Sequence, residues 1–177
     1  MQAYSWPHAP NPLSFLGKLR ERTGLDFDLP SEAQWEFAAR AGHGSGSWGD
    51  GSPILNSDSD ENLARLGSYA RSDEQGTTVV GTYAPNDWGL YDMQGNVWEW
   101  CLDWSKDDIS AFGGTANVDP ANGLNLLSGE AGEMRVVRGG GWGDKAGLCR
   151  PAYRLELVPW DTWRTRGIRV VCTAGLK

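Results

Sequence analysis

The most reactive side chains of this chain are three cysteines and two histidines, and they stand far apart in the sequence. Cys101, Cys149 and Cys172 are odd in number, which does not suit a disulfide framework, although one disulfide pair stays an open alternative. His8 and His43 lie in loop-like contexts, and no Ser-His-Asp constellation accompanies them. The residue types therefore do not predict nucleophilic catalysis.

Two helices near the N-terminus would have to support any site. Asn11 and Pro12 suit the N-cap and the first helical position, and apolar residues recur at helical spacing until Gly24 ends the run. Ser31 and Gln34 form a capping box that starts a second helix. The predicted buried stripe of this second helix is Trp35, Ala38 and Ala39.

Short strands separated by long loops make up the rest of the pattern. The strands are predicted at residues 25–29, 79–83, the second half of 88–101, 135–138 and 168–172. Residues 42–76 and 105–131 are predicted as loop, because Gly, Ser, Asp and Asn favour turns. About 25 residues before the last strand show little periodicity. The fold class is therefore α+β, with two helices, short antiparallel strands and much irregular loop.

Composition limits the classes of function. The net charge of −7 disfavours nucleic-acid binding, which normally needs a basic face. No run of 18 apolar residues predicts a membrane helix, and the first residues lack a signal-peptide pattern, so we expect no membrane insertion. Ten Trp and 24 Gly indicate a loop-rich domain that uses indoles as packing wedges or as a binding face.

Four ordered motifs resemble those of the formylglycine-generating-enzyme family, also called sulfatase-modifying factors. Residues 29–40 read LPSEAQWEFAAR and residues 89–100 read GLYDMQGNVWEW. Residues 138–142 read RGGGW and residues 167–169 read GIR, similar to the closing motifs of the family. The resemblance implies a C-type lectin fold of the formylglycine-generating-enzyme type, as a single domain over residues 1–177. It also implies that the opening strands of the family precede residue 5 and are missing from this chain.

The resemblance to the enzymes stops at their cysteine pair. Those enzymes activate oxygen with copper held by two cysteines five residues apart. Cys149 matches the second cysteine, whereas the first falls at about Asp144. Because a lone thiol cannot form a two-sulfur copper site, we expect a non-enzymatic protein that requires no cofactor. The alternative is a copper-dependent formylglycine-generating oxidase, or an inactive relative, that lacks one active-site cysteine.

The segment 138–172 resembles the variable region of proteins diversified by retroelements, which also use this fold. In such proteins a frame of unmutated residues holds interchangeable side chains outward, as a paratope does. The implied ligand-binding residues are Gly143, Asp144, Leu148, Tyr153, Leu155, Leu157, Trp160, Asp161, Thr162, Trp163, Arg164 and Thr165. We therefore expect a protein or cell-surface ligand that differs between variants. Core burial of Trp160 and Trp163, and a carbohydrate-binding lectin module, stay open as alternatives.

The central motif also implies a structural calcium ion, since family members bind calcium there. Asp92 and Glu99 would supply carboxylates, and Gly95 and Val97 would supply backbone carbonyls. The alternative is that Glu99 pairs with an arginine. A cell surface, a virus particle and a cytoplasm all stay open as locations.

Overall fold

The first helix, α1, covers Phe15–Thr23 and begins later than the sequence predicts. The Ser14 hydroxyl accepts a hydrogen bond from the Gly17 backbone N–H at 3.1 Å, so Ser14 is the N-cap. Asn11 instead caps the preceding turn, where its side chain accepts from the Leu13 N–H at 2.9 Å. These positions come from a computed structural model, which describes residues 10–105 and 134–172. His8 and most of the loop predicted at 105–131 lie outside those ranges.

The apolar stripe predicted for α1 is not buried. No residue of α1 is fully covered, and Phe15 is 59% exposed. Polar contacts attach the helix to the first strand, β1 (Phe27–Asp28), because the Arg20 guanidinium donates to the Phe27 carbonyl at 2.6 Å and pairs with Asp28.

The second helix, α2, covers Glu32–Arg40 and has the predicted capping box. Ser31 accepts from the Gln34 N–H at 3.2 Å, and the Gln34 side chain accepts from the Ser31 N–H at 2.9 Å. Trp35 and Ala39 are buried, as the stripe predicts, whereas Ala38 is only partly buried. A third helix of one turn, α3 (Leu63–Leu66), lies inside the segment predicted as loop.

A four-stranded sheet packs beside α2. Its order is β4 (Arg154–Leu157), β3 (Arg135–Arg138), β2 (Trp98–Trp104) and β5 (Arg166–Gly167). Only the β2–β5 pair is parallel, and it places Trp98 opposite Arg166. The strand β4 is absent from the sequence-based prediction, because all four of its residues are half-buried and show no alternation.

A second sheet consists of β1 and β6 (Val171–Cys172), which pair antiparallel. The strand predicted at residues 79–83 is wrong. Residues 79–83 form a turn, since the Thr82 hydroxyl donates to the Val79 carbonyl and the Gly81 N–H donates to the Asp92 carboxylate. Val79 is 80% exposed, so its β-branched side chain contributes nothing to a core.

Two buried clusters form the core of the described residues. The first contains Trp35, Ala39, Met93, Cys101 and Val136. The second contains Trp48, Leu63, Leu66, Ala146 and Cys149. Within residues 10–105 and 134–172, no helix has the length and apolar character needed to cross a membrane.

Ion pairs join α2 to the strands β3 and β4. The Arg138 side chain is 1% exposed, and it contacts the carboxylates of Glu36 and Glu32. Glu32 also accepts from the Arg154 guanidinium at 2.9 Å, which connects α2 to β4. This arrangement fixes β4, and with it one wall of the site described next.

Candidate ligand-binding site

The glycine turn after β3 brings the C-terminal segment onto the central motif. The Gly95 backbone N–H donates to the Gly139 carbonyl at 2.7 Å, and the Trp142 backbone N–H donates to the Asn96 carbonyl at 2.8 Å. Gly140 has φ of 78°, and a Cβ there would lie 2.5 Å from the Cys149 sulfur. Only glycine therefore lets this turn approach the short 3₁₀ helix Ala146–Cys149 so closely.

An open cavity of about 350 Å³ lies beyond this turn. Seven of the twelve sequence-predicted ligand-binding residues line it: Gly143, Asp144, Leu148, Tyr153, Leu155, Trp163 and Thr165. Its walls come from β4, from the 3₁₀ helix and from the segment that leads into β5. The structure thus gathers residues from the 23 positions 143–165, whose sequence shows little periodicity, around one concave surface.

The other five predicted residues do not line the cavity. Trp160 and Thr162 are exposed, and Leu157 lies half-buried in β4 opposite Arg135. Asp161 accepts from the Trp163 N–H at 3.0 Å, while Arg164 is exposed and lies over the Trp142 ring. Trp160 and Trp163 are 65% and 66% exposed, so the alternative that they are core residues is wrong.

Four cavity residues were missed as site residues by the sequence reasoning: Asp73, Trp98, Trp142 and Arg166. Trp98 and Trp142 belong to recognised motifs, which were interpreted only as scaffold. Arg166 joins Trp98 through the parallel pairing of β2 and β5. No local sequence pattern predicts that pairing, because it joins segments almost 70 residues apart.

Asp144, which the resemblance matches to the first enzyme cysteine, accepts hydrogen bonds from two donors. The Trp98 indole N–H donates to its Oδ2 at 2.7 Å, and the Gly141 backbone N–H donates to the same oxygen at 2.8 Å. Asp144 is therefore a half-buried carboxylate with one oxygen used for structure.

Cys149 is a buried thiol that packs in the core. It is fully buried in the second core cluster, and its thiol contacts the Lys145 carbonyl at 3.8 Å. Burial raises the pKa of the Cys149 thiol well above its ordinary value, and the negative charge of Asp144 raises it further. A thiolate is the form that binds copper or attacks, so this thiol suits packing.

One of the four residues predicted to bind calcium, Glu99, is not available to a divalent cation in this geometry. Glu99 is buried, and its oxygens accept from Trp35 Nε1 at 2.7 Å and from the Arg169 guanidinium at 2.8 Å. The Gly95 carbonyl accepts from the Val97 N–H at 2.9 Å. Burial raises the pKa of the Glu99 carboxyl, and the Arg169 charge opposes that rise. Arg169 thus occupies the place of a cation, as the alternative interpretation predicts.

Asp92 is the one carboxylate of that motif with an unused oxygen. Its Oδ2 accepts from the Gly81 N–H at 2.7 Å, whereas the buried Oδ1 has no hydrogen-bond partner in the described structure. Residues 10–105 and 134–172 contain no group of three or more His, Cys, Asp or Glu side chains arranged for a metal. A structural calcium stays a prediction, without Glu99 as a ligand.

Comparison with known proteins agrees with these motifs and this architecture. The family described as the sulfatase-modifying factor enzyme 1-like domain matches residues 3–174. The chain belongs to this family. The formylglycine-generating enzyme of Thermomonospora curvata is 34% identical over 130 residues, which cover 71% of this chain and 40% of that protein. The inactive C-alpha-formylglycine-generating enzyme 2 of Mus musculus is 31% identical over 155 residues, covering 83% and 43%.

Solved structures give the same result for the fold. Treponema denticola variable protein 1 matches with a TM-score of 0.63 and 30% identity, covering 82% of this chain and 47% of that one. PvdO from Pseudomonas aeruginosa matches with a TM-score of 0.69 and 27% identity, covering 89% and 56%. The predicted C-type lectin fold of the formylglycine-generating-enzyme type is therefore confirmed, as is the resemblance to a variable protein. The chain spans less than half the length of the two curated relatives.

Proposed function

We propose that this protein is a non-enzymatic ligand-binding protein that displays a diversified surface, residues 138–172, on a C-type lectin scaffold. The observation that carries the proposal is the position five residues before Cys149, where a carboxylate stands in place of a second thiol. Asp144 is fastened to Trp98 and Gly141, and Cys149 is buried. Neither side chain provides the paired thiolates that oxygen activation with copper needs.

The cavity supports display in place of catalysis. Its lining combines indole, phenol and aliphatic surface with a few polar groups, which is the mixture that paratopes use. The backbone below it is fixed by the turn at Gly140 and by the charges that join β4 to α2. A fixed frame that carries outward side chains is the arrangement that tolerates sequence change. The similarity to a variable protein supports the same interpretation.

The test of diversification is genomic. We expect a reverse transcriptase gene beside this gene, together with a near-copy of the segment coding for residues 138–172 that differs from it at adenines. Copies of the gene should differ at the displayed positions and agree at Gly140 and Cys149, which pack against each other. A genome that has neither the reverse transcriptase nor the near-copy refutes diversification.

A copper-dependent oxidase is the second candidate, and its support is the 34% identity to a formylglycine-generating enzyme. The assay mixes the protein and copper with a cysteine-containing sulfatase peptide, and mass spectrometry follows the conversion of cysteine to formylglycine. The Thermomonospora curvata enzyme serves as the positive control. We expect no conversion by this protein, and turnover comparable to the control would overturn the non-enzymatic proposal.

A further inference from the structure

The charges around the cavity leave one carboxylate without a cation. Asp73 pairs with Arg164 at 3.3 Å, and Asp161 pairs with Arg166 at 3.6 Å. Asp144 receives only neutral donors, and both reach its Oδ2. Across the part of the chain that the structure describes, no donor reaches Asp144 Oδ1 and no cation pairs with this side chain. The cavity therefore contains an uncompensated negative charge.

The walls around that charge are aromatic. Trp163 is 66% exposed and Tyr153 is half-buried, whereas Trp98 and Trp142 line the cavity at only 2% and 3% exposure. Aromatic faces attract cations, and indole attracts them most strongly. The structure contains an example, because the Arg164 guanidinium lies 5.9 Å from the centroid of the Trp142 ring.

We propose that this cavity binds an arginine side chain of a protein ligand, with the guanidinium against Asp144 Oδ1 and the alkyl stem against the exposed Trp163 ring. This inference rests on the proposed function and names the ligand chemistry of this variant. A planar guanidinium can donate to a carboxylate while its face stacks on an indole, which an ammonium group does less well. The overall charge of −7 favours approach of a cationic partner.

An anionic ligand is the competing chemistry, and the accessible atoms disfavour it. The unpartnered donors beside the cavity are Trp142 Nε1 and Arg166 Nε, and both atoms are shielded from solvent. A carboxylate in the cavity would share it with the Asp144 carboxylate, while neither of these two donor atoms is exposed to it. The exposed groups thus match a donor-rich cation and repel an anion.

The test uses N-acetyl-arginine methylamide as the probe and the indole ¹H–¹⁵N resonances of the whole protein as the readout. We expect saturable shifts of the Trp98, Trp142 and Trp163 signals. The neutral isostere N-acetyl-citrulline methylamide should bind about tenfold more weakly, since it lacks the charge. Equal binding of both probes, stronger binding of the lysine analogue, or shifts confined to other indoles would overturn the proposal.

Two variants locate the binding. Asp144→Asn should weaken arginine binding about fivefold or more, because it removes the charge and keeps an oxygen for Trp98 and Gly141. Asp87→Asn is the matched control, since Asp87 is an exposed carboxylate outside the cavity lining, and it should leave the affinity unchanged. Trp163→Ala removes an exposed wall residue without touching the core, so it tests the cavity even if Asp144→Asn does not fold.

The arginine-binding test can fail while the genomic test of diversification succeeds, so the two proposals are tested separately. A protein from a diversified gene that binds neither arginine nor lysine analogues would refute the arginine site and leave the display function standing. Unchanged affinity in both Asp144→Asn and Trp163→Ala would likewise refute the site.

Discussion

Replacing Asp60 with asparagine should cost this protein a substantial part of its stability. Asp60 is 1% exposed, and its carboxylate accepts four backbone N–H groups. Oδ2 accepts from Leu55 at 2.6 Å and Asn56 at 3.2 Å, while Oδ1 accepts from Asn62 at 2.9 Å and Leu63 at 3.3 Å. The loop that this carboxylate organises also supports the C-terminal segment, since nearby carbonyls accept the N–H groups of the 3₁₀ helix.

The magnitude follows from the number of donors that lose their acceptor. An asparagine keeps one carbonyl oxygen for two donors and turns an NH₂ group toward the other two. Each buried donor left without an acceptor costs about 1–3 kcal/mol, so the variant, in which two donors lose theirs, should lose about 2–6 kcal/mol of unfolding free energy. Urea denaturation at pH 7 measures this difference. The matched control is Asp58→Asn, because Asp58 is exposed and pairs only with the exposed Lys145, and its effect should be much smaller.

The same residue makes a prediction about pH. Burial opposes ionisation of Asp60, but the four backbone donors more than offset burial, so the pKa of the Asp60 carboxyl is lowered. Its stabilising effect is therefore complete above the unfolded pKa of about 3.9 and is lost as the pH falls through the lower folded value. The difference in unfolding free energy between the native protein and Asp60→Asn should decrease below about pH 4. If Asp60→Asn lowered the unfolding free energy by less than about 0.5 kcal/mol at pH 7, or if its difference from the native protein increased in acid, this reasoning would be refuted.

Three further predictions address the frame of the site. Gly140→Ala should destabilise the protein by about 2–3 kcal/mol in thermal unfolding, because Gly140 has a φ of 78° and a Cβ there would collide with the Cys149 sulfur. The control is Gly44→Ala, which should change the melting temperature little because a Cβ at Gly44 has nothing within 4 Å. Trp35→Phe should cost at least about 1.5 kcal/mol in urea unfolding, since the buried Glu99 loses a donor at 2.7 Å, and a neutral result would contradict the assigned contact. Cys149 should resist a disulfide-forming thiol reagent in the native protein and react after denaturation, whereas the exposed Cys172 reacts at once; rapid native labelling of Cys149, located by peptide mapping, would show that the thiol is not buried.

Features that depend on neighbouring residues could be predicted from the sequence. The capping box of Ser31 and Gln34 needs only one turn of backbone, and the structure contains both of its hydrogen bonds. The aspartate at position 144, five residues before Cys149, and the grouping of the predicted ligand-binding residues in 138–172 are likewise visible in the sequence, because they depend on residue type at fixed spacing. The fold followed from four motifs for the same reason.

Features that depend on long-range contacts were decided by the tertiary structure. The β-branched run at 79–83 forms a turn because the Gly81 backbone N–H donates to the Asp92 carboxylate, eleven residues away. The Glu99 carboxylate pairs with the Arg169 guanidinium, which is why Glu99 is not available as a calcium ligand. The parallel pairing of Trp98 with Arg166 creates the cavity wall. Residue types determine which contacts are favourable, but only the folded chain determines which favourable partners come within hydrogen-bonding distance of one another.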